Sequence, residues 1–179
     1  MSPPVLLAGP ARGVSYVVPM IEADRPISGS PAPDLPERPR VLLPPDQAAA
    51  VPYRVRDGGA EVLLVTSRTR ARWIVPKGAV ERGATPPETA RAEAFEEAGV
   101  RGVIRPNPLG RYHHGRGRRA ALVEVYLLHV TDEAETWPER DDRARRWVPA
   151  PDAAAEVDVA GLRPVLRRAA KVLVALDPR

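Results

Sequence analysis

The stretch Pro76–Val100, PKGAVERGATPPETARAEAFEEAGV, carries both ends of a helix and three carboxylates on one of its faces. Thr85-Pro86-Pro87-Glu88 has the spacing of a capping box, with Thr85 at the N-cap, proline at the first helical position and glutamate at the third. Gly99 stands where a left-handed C-cap residue is expected. Between these ends Ala90, Ala94 and Ala98 recur every four residues beside Phe95, a stripe of small side chains that lets a helix approach a sheet closely. At about 100° per residue, Glu96 falls about 60° to one side of Glu93 and Glu97 about 40° to the other. Like charges at that spacing repel by a few tenths of a kcal/mol per pair. A divalent cation bound by oxygens relieves the repulsion. The stretch therefore predicts a helix that packs by one face and offers carboxylates from the other.

On either side of that helix the pattern is mixed α and β. Upstream, AAAVPYRVR (48–56) reads as a strand, the turn Asp57-Gly58-Gly59 leads into Glu61–Thr66, and Trp73-Ile74-Val75 is a short β-type run that Pro76-Lys77-Gly78 breaks. Downstream, RYHHGRGRR (111–119) reads as a basic link into Ala120–Val130, the most continuous apolar run and a candidate central strand. TDEAETWPERDD reads as an acidic loop, Arg145–Val148 as a last strand with Trp147 in the core, and Pro151–Glu156 as a helical turn. Leu162, Val165, Leu166, Ala169, Val172, Leu173 and Leu176 recur at helical spacing, so the closing segment is an amphipathic helix. These elements predict an α+β fold with a sheet packed between two main helices.

Eleven of the 22 prolines fall within the first 45 residues, which argues against a packed domain there. Residues 1–46 are expected to be a Pro-rich, largely disordered extension, and 47–179 the ordered domain. The chain has no cysteine, which excludes disulfides, thiolate metal sites and cysteine nucleophiles. A net charge of +4, carried almost wholly by arginine, points to an anionic partner. No run approaches the roughly 20 apolar residues of a transmembrane span, and the N-terminus lacks the pattern of a secretory signal. The expected location is cytoplasmic.

The segment Gly78–Val100 resembles the Nudix box: glycine, five residues, glutamate, seven residues, Arg-Glu, an aliphatic, one residue, Glu-Glu, one residue, glycine, an aliphatic. Gly78, Glu93, Glu96, Glu97, Gly99 and Val100 match at the required spacing, whereas Ala84 replaces the first glutamate and Ala92 the arginine. The resemblance extends over roughly 47–176, and RARWIVPKG with ETWPERDDRARRWV is similar to the diphosphoinositol polyphosphate phosphohydrolase branch. It implies an α/β/α sandwich around a mixed sheet and hydrolysis of a diphosphate by an activated water, with Mg²⁺ or Mn²⁺. On the matching positions, Glu93 and Glu97 would be metal ligands, and Glu96 either a third ligand or the base. A backbone carbonyl near Lys77–Gly78 would complete the metal site.

An arginine at 92 would lie four residues before Glu96 and could pair with it; Arg91 points about 160° away from Glu93. Weakened or altered metal coordination is therefore expected. Arg68, Arg72, Lys77, Arg116, Arg119 and Arg143 are candidate phosphate ligands, since guanidinium presents a forked donor set. The expected substrate is a polyanionic small molecule, a diphosphoinositol polyphosphate or dinucleoside polyphosphate, in preference to nucleic acid. Nucleoside-diphosphate derivatives are the enzymatic alternative. A non-catalytic phosphate-ligand or RNA-binding module on the same scaffold is the rival that Ala84 and Ala92 favour.

Overall fold

Alanine at positions 48, 49 and 50 leaves almost no side-chain bulk on either face of the first strand, and this strand runs through the middle of the sheet. The computed structural model describes residues 43–57, 59–69, 71–115, 117 and 120–176. They belong to the second of two compact units, Leu42–Arg179; of the expected extension, 1–42 lie outside the described residues. The elements are β1 (Gln47–Arg56), β2 (Gly59–Thr66), β3 (Trp73–Ile74), β4 (Lys77–Ala79), α1 (Pro86–Ala98), β5 (Val100–Ile104), β6 (Gly110–His114), β7 (Ala121–Glu133), β8 (Arg145–Pro149), α2 (Ala153–Glu156) and α3 (Leu162–Leu176). Among the described residues no helix is long and apolar enough to cross a membrane.

The sheet is mixed. β7 runs parallel to β1 along one edge, from Gln47↔Val123 to Tyr53↔His129. Along the other edge β1 pairs antiparallel with β4 over Gln47–Ala49 and then with β2 over Tyr53–Arg56. Pro52 sits at that change of partner. Amide directions alternate along a strand, so position 52 faces the same side as Ala50, whose N–H reaches the Pro76 carbonyl at 3.0 Å. A proline in a central strand usually breaks a ladder bond. Here its missing donor falls between two partners.

Side chains alternate between two cores. On one face Ala90, Ala94 and Ala98 of α1 lie against Ala48, Ala50, Leu63, Val65, Tyr126 and Leu128. On the other, Leu162, Val165, Leu166, Ala169 and Leu173 of α3 cover Ala49, Val51, Leu64, Val123, Val125 and Leu127. This is an α/β/α sandwich, as expected. Full burial of Leu162, Leu166 and Leu173 stabilises the fold by about 1.5–3 kcal/mol each.

Both helix signals are realised. The Thr85 side chain accepts the Glu88 N–H, Glu88 Oε2 accepts the Thr85 N–H at 2.9 Å, and Gly99 is left-handed with φ 66°. Three expectations need correction. Lys77–Ala79 does not simply break the chain but pairs with β1, residues 111–114 of the supposed link belong to a strand on β7, and β7 continues to Glu133. Glycine, histidine and arginine carry no β signal of their own; a neighbouring strand edge imposes the pairing. Trp147 is half-buried, with the Arg54 guanidinium 4.0 Å from its ring centre and its N–H 3.3 Å from Glu133.

At Gly99 a Cβ would lie 2.5 Å from the Trp137 ring, on a backbone that L side chains rarely adopt. Gly99→Ala is expected to destabilise the protein by about 2–4 kcal/mol, from left-handed strain together with overpacking, measurable by urea unfolding.

Candidate active site

Gly78 and Ala48 are cross-strand partners, so their α-carbons face the same side of the sheet, toward α1. The Glu93 side chain fills the space that a side chain at 78 would need: a Cβ there would be 1.7 Å from Glu93 Oε1. One turn on, Glu97 is 5% exposed and Glu96 is at the surface. The matched glutamates thus stand at three depths.

Glu97 is held from both sides. Its Oε2 accepts the Lys77 N–H at 3.2 Å, and its Oε1 accepts from Arg143. The Arg143 guanidinium also donates to Glu139 and to the Thr66 carbonyl at 2.8 Å, and Glu139 pairs in addition with Arg68. Glu139 is the functional candidate that the sequence reading missed. It lies in the acidic loop, where its N–H donates to the Glu96 carbonyl oxygen at 3.1 Å. Its i,i+4 spacing to Arg143 marks that pair, though not its approach to Glu97.

Burial raises the Glu93 carboxyl above its ordinary value, and the negative charges of Glu96 and Glu139 raise it further. Burial likewise lifts Glu97 from 4.5 to about 7, against the opposing pull of Arg143. Both carboxyls are thus poised to gain from an added cation.

Beside Glu97 opens a cleft of about 870 Å³. Arg68, Arg72, Lys77 and Arg143 line it, together with His113, His114 and the loop Asp158–Gly161. Glu93 and Glu96 do not line it, and Arg116 and Arg119 lie outside the described residues. His113 and His114, which the sequence places in the basic link 111–119, stand in the cleft wall, and burial holds His114 below the usual imidazole value. Arg143 faces carboxylates as much as open space.

Among the described residues, no three His, Cys, Asp or Glu side chains converge closely enough to ligate a metal ion as they stand. The donor chemistry does fit a hard divalent ion: Glu93, Glu97 and Glu139 are oxygen donors that disfavour one another's charge. The Gly78 backbone lies directly against the Glu93 carboxylate.

The family model for the NUDIX domain matches residues 44–169. The chain belongs to the Nudix family. It is 35% identical over 128 residues to Nudix hydrolase 12 of Arabidopsis thaliana, covering 59% of this chain and 63% of that protein. It is 41% identical over 96 residues to a diphosphoinositol polyphosphate phosphohydrolase, 3-beta, of Bos taurus, covering 52% and 57%. The chain therefore spans little more than half the length of these curated relatives. Among solved structures, a C. elegans Ap4A hydrolase in a binary complex shares the Nudix fold, with a TM-score of 0.62, 25% identity, and coverage of 73% of this chain and 98% of that one.

Two measurements test the Nudix site. Gly78→Ala must push the Glu93 carboxylate aside, and its flexible tip can move. Stability is expected to change by about 1 kcal/mol or less while Mg²⁺ affinity in calorimetry falls about tenfold or more. In metal-free protein, folded Glu97 binds more protons than unfolded Glu97 between pH 4.5 and about 7. Its stabilising contribution is full below pH 4.5 and is lost as pH rises through that window. Glu97→Gln should flatten this part of the stability profile in urea titrations.

Proposed function

We propose that the chain is a metal-dependent hydrolase that cleaves a diphosphate bond in a polyanionic phosphate ester, a diphosphoinositol polyphosphate or a dinucleoside polyphosphate, by water attack. The observation that carries this reading is the cleft, where the buried Glu97 carboxylate shares a wall with Arg68, Arg72 and Lys77. A cation-binding edge thus adjoins a phosphate-binding one. The bovine and Arabidopsis relatives support the same reaction class.

Glu93 and Glu97, with Glu139 and the Gly78 carbonyl, would hold Mg²⁺ or Mn²⁺, which when bound neutralises phosphate oxygens and makes water more acidic. The chain's own residues do the rest. Arg68, Arg72 and Lys77 draw the polyanion in and hold its phosphates against that edge, so its charge is met by fixed cations. Exposed Glu96 has solvent access and takes a proton from the attacking water, or serves as a further ligand. Of the described residues lining the cleft, none is Trp, Tyr or Phe. A substrate read by its phosphates is favoured over a nucleoside-diphosphate derivative read by base stacking. A cytoplasmic location belongs to the same reading.

The second reading, a non-catalytic phosphate-ligand module, is favoured by Ala84 and Ala92, both exposed. Phosphate release from a panel of diphosphoinositol, dinucleoside and nucleoside-diphosphate substrates, with and without Mg²⁺, separates the two. The hydrolase reading expects Mg²⁺-dependent release that falls by about a hundredfold or more in Glu96→Gln and in Glu97→Gln. Unchanged turnover in both variants removes the mechanism; tight binding without turnover at any metal establishes the module.

A further inference from the structure

The Arg143 guanidinium is buried among acceptors on three separate segments: Glu97 on α1, Glu139 on the loop after β7, and the Thr66 carbonyl at the end of β2. Its side chain is 7% exposed, and Nε, Nη1 and Nη2 are all engaged. The carboxylates it holds are equally committed. The other oxygen of Glu97 accepts the Lys77 N–H, and the other oxygen of Glu139 meets Arg68. A divalent ion set on these oxygens would stand beside a guanidinium, and two cations that close repel strongly where water is scarce. One of them has to leave. Arg143 has somewhere to go, because it also lines the cleft with Arg68, Arg72 and Lys77.

We propose that Arg143 is a displaceable counter-cation: it neutralises Glu97 and Glu139 until a divalent ion takes those carboxylates, and then turns into the cleft as a phosphate ligand. This rests on the hydrolase reading and adds an order of binding to it, cation before polyphosphate. While its nitrogens serve the carboxylates, Arg143 offers little to a phosphate. Once freed, its planar fork suits phosphate oxygens. The released arginine makes cation binding and phosphate binding mutually reinforcing, and such coupling is reciprocal.

The test titrates Mn²⁺ into the full chain, its Arg143→Gln variant and its Arg143→Lys variant by calorimetry. Methylenebisphosphonate, a diphosphate that resists hydrolysis, is then titrated with and without the ion. Removing a competitor should tighten Mn²⁺ binding about tenfold or more in Arg143→Gln, with Arg143→Lys between it and the wild type. The wild type should bind the bisphosphonate about tenfold more tightly with Mn²⁺ than without, and Arg143→Gln should lose most of that gain. Thermal unfolding identifies folded variants, and if the glutamine variant does not fold the lysine variant decides. Mn²⁺ binding that is unchanged or weaker in the folded variant overturns the proposal, because the guanidinium would then be arranging the carboxylates rather than competing for them. Wild-type protein that binds no divalent ion overturns this proposal and the hydrolase reading together. Wild type that binds Mn²⁺ and hydrolyses, with a variant that binds no tighter, overturns this proposal alone.

Discussion

Glu96 and Glu97 lie in the last turn of α1, the end at which aligned peptide dipoles present negative charge and repel an anion. No basic residue of the helix stands in that turn. Relief has to come from elsewhere in the chain. Arg145 donates to the Ala98 carbonyl at 2.6 Å while stacking 4.1 Å from the Trp137 ring centre, and Arg143 meets Glu97 directly. The same need draws the loop after β7 across the helix end, where the Ala134 N–H reaches the Gly99 carbonyl at 2.8 Å. The bare α-carbon of Gly99 leaves room for the indole that braces this loop. Helix end, loop and carboxylate cluster are one arrangement.

Ion pairs elsewhere carry less. Arg101–Asp132 at 3.5 Å has both side chains more than half exposed, and such pairs contribute about 0–1 kcal/mol. The Arg143–Glu97 pair is almost closed off from water, and removing one partner of such a pair typically costs about 3–5 kcal/mol. The arginines, which make the chain basic, thus divide into two populations. Arg143 and Arg145 pair with the end of α1 and with the loop that crosses it. Arg68 and Arg72 stay near the surface, where they can meet a ligand.

What could be read from the sequence had local causes. Thr85, Glu88 and Gly99 act within their own helix, so their spacing alone announced both caps. The apolar runs of β1 and β7 and the helical spacing of α3 announced a sheet packed between helices. Glu139 was hidden because its role depends on a loop folding back over α1, and no spacing near it records that return. β4 and β6 were hidden because their residues, Lys-Gly-Ala and Gly-Arg-Tyr-His-His, pair only where β1 and β7 offer an edge. The depths of Glu93, Glu96 and Glu97 were equally invisible: a helical wheel gives direction, whereas burial depends on what lies opposite, and Gly78 decides that for Glu93.

Pro52 carries a consequence of its own. The sheet forks there, with β4 leaving the edge of β1 just before β2 takes it up, and the cleft residues Arg68, Arg72 and Lys77 all belong to the segments that diverge from the fork. An edge that lacks an amide hydrogen at that point is a poor template for a further strand. An extended peptide would find no donor at position 52, so strand addition between the two prongs is disfavoured.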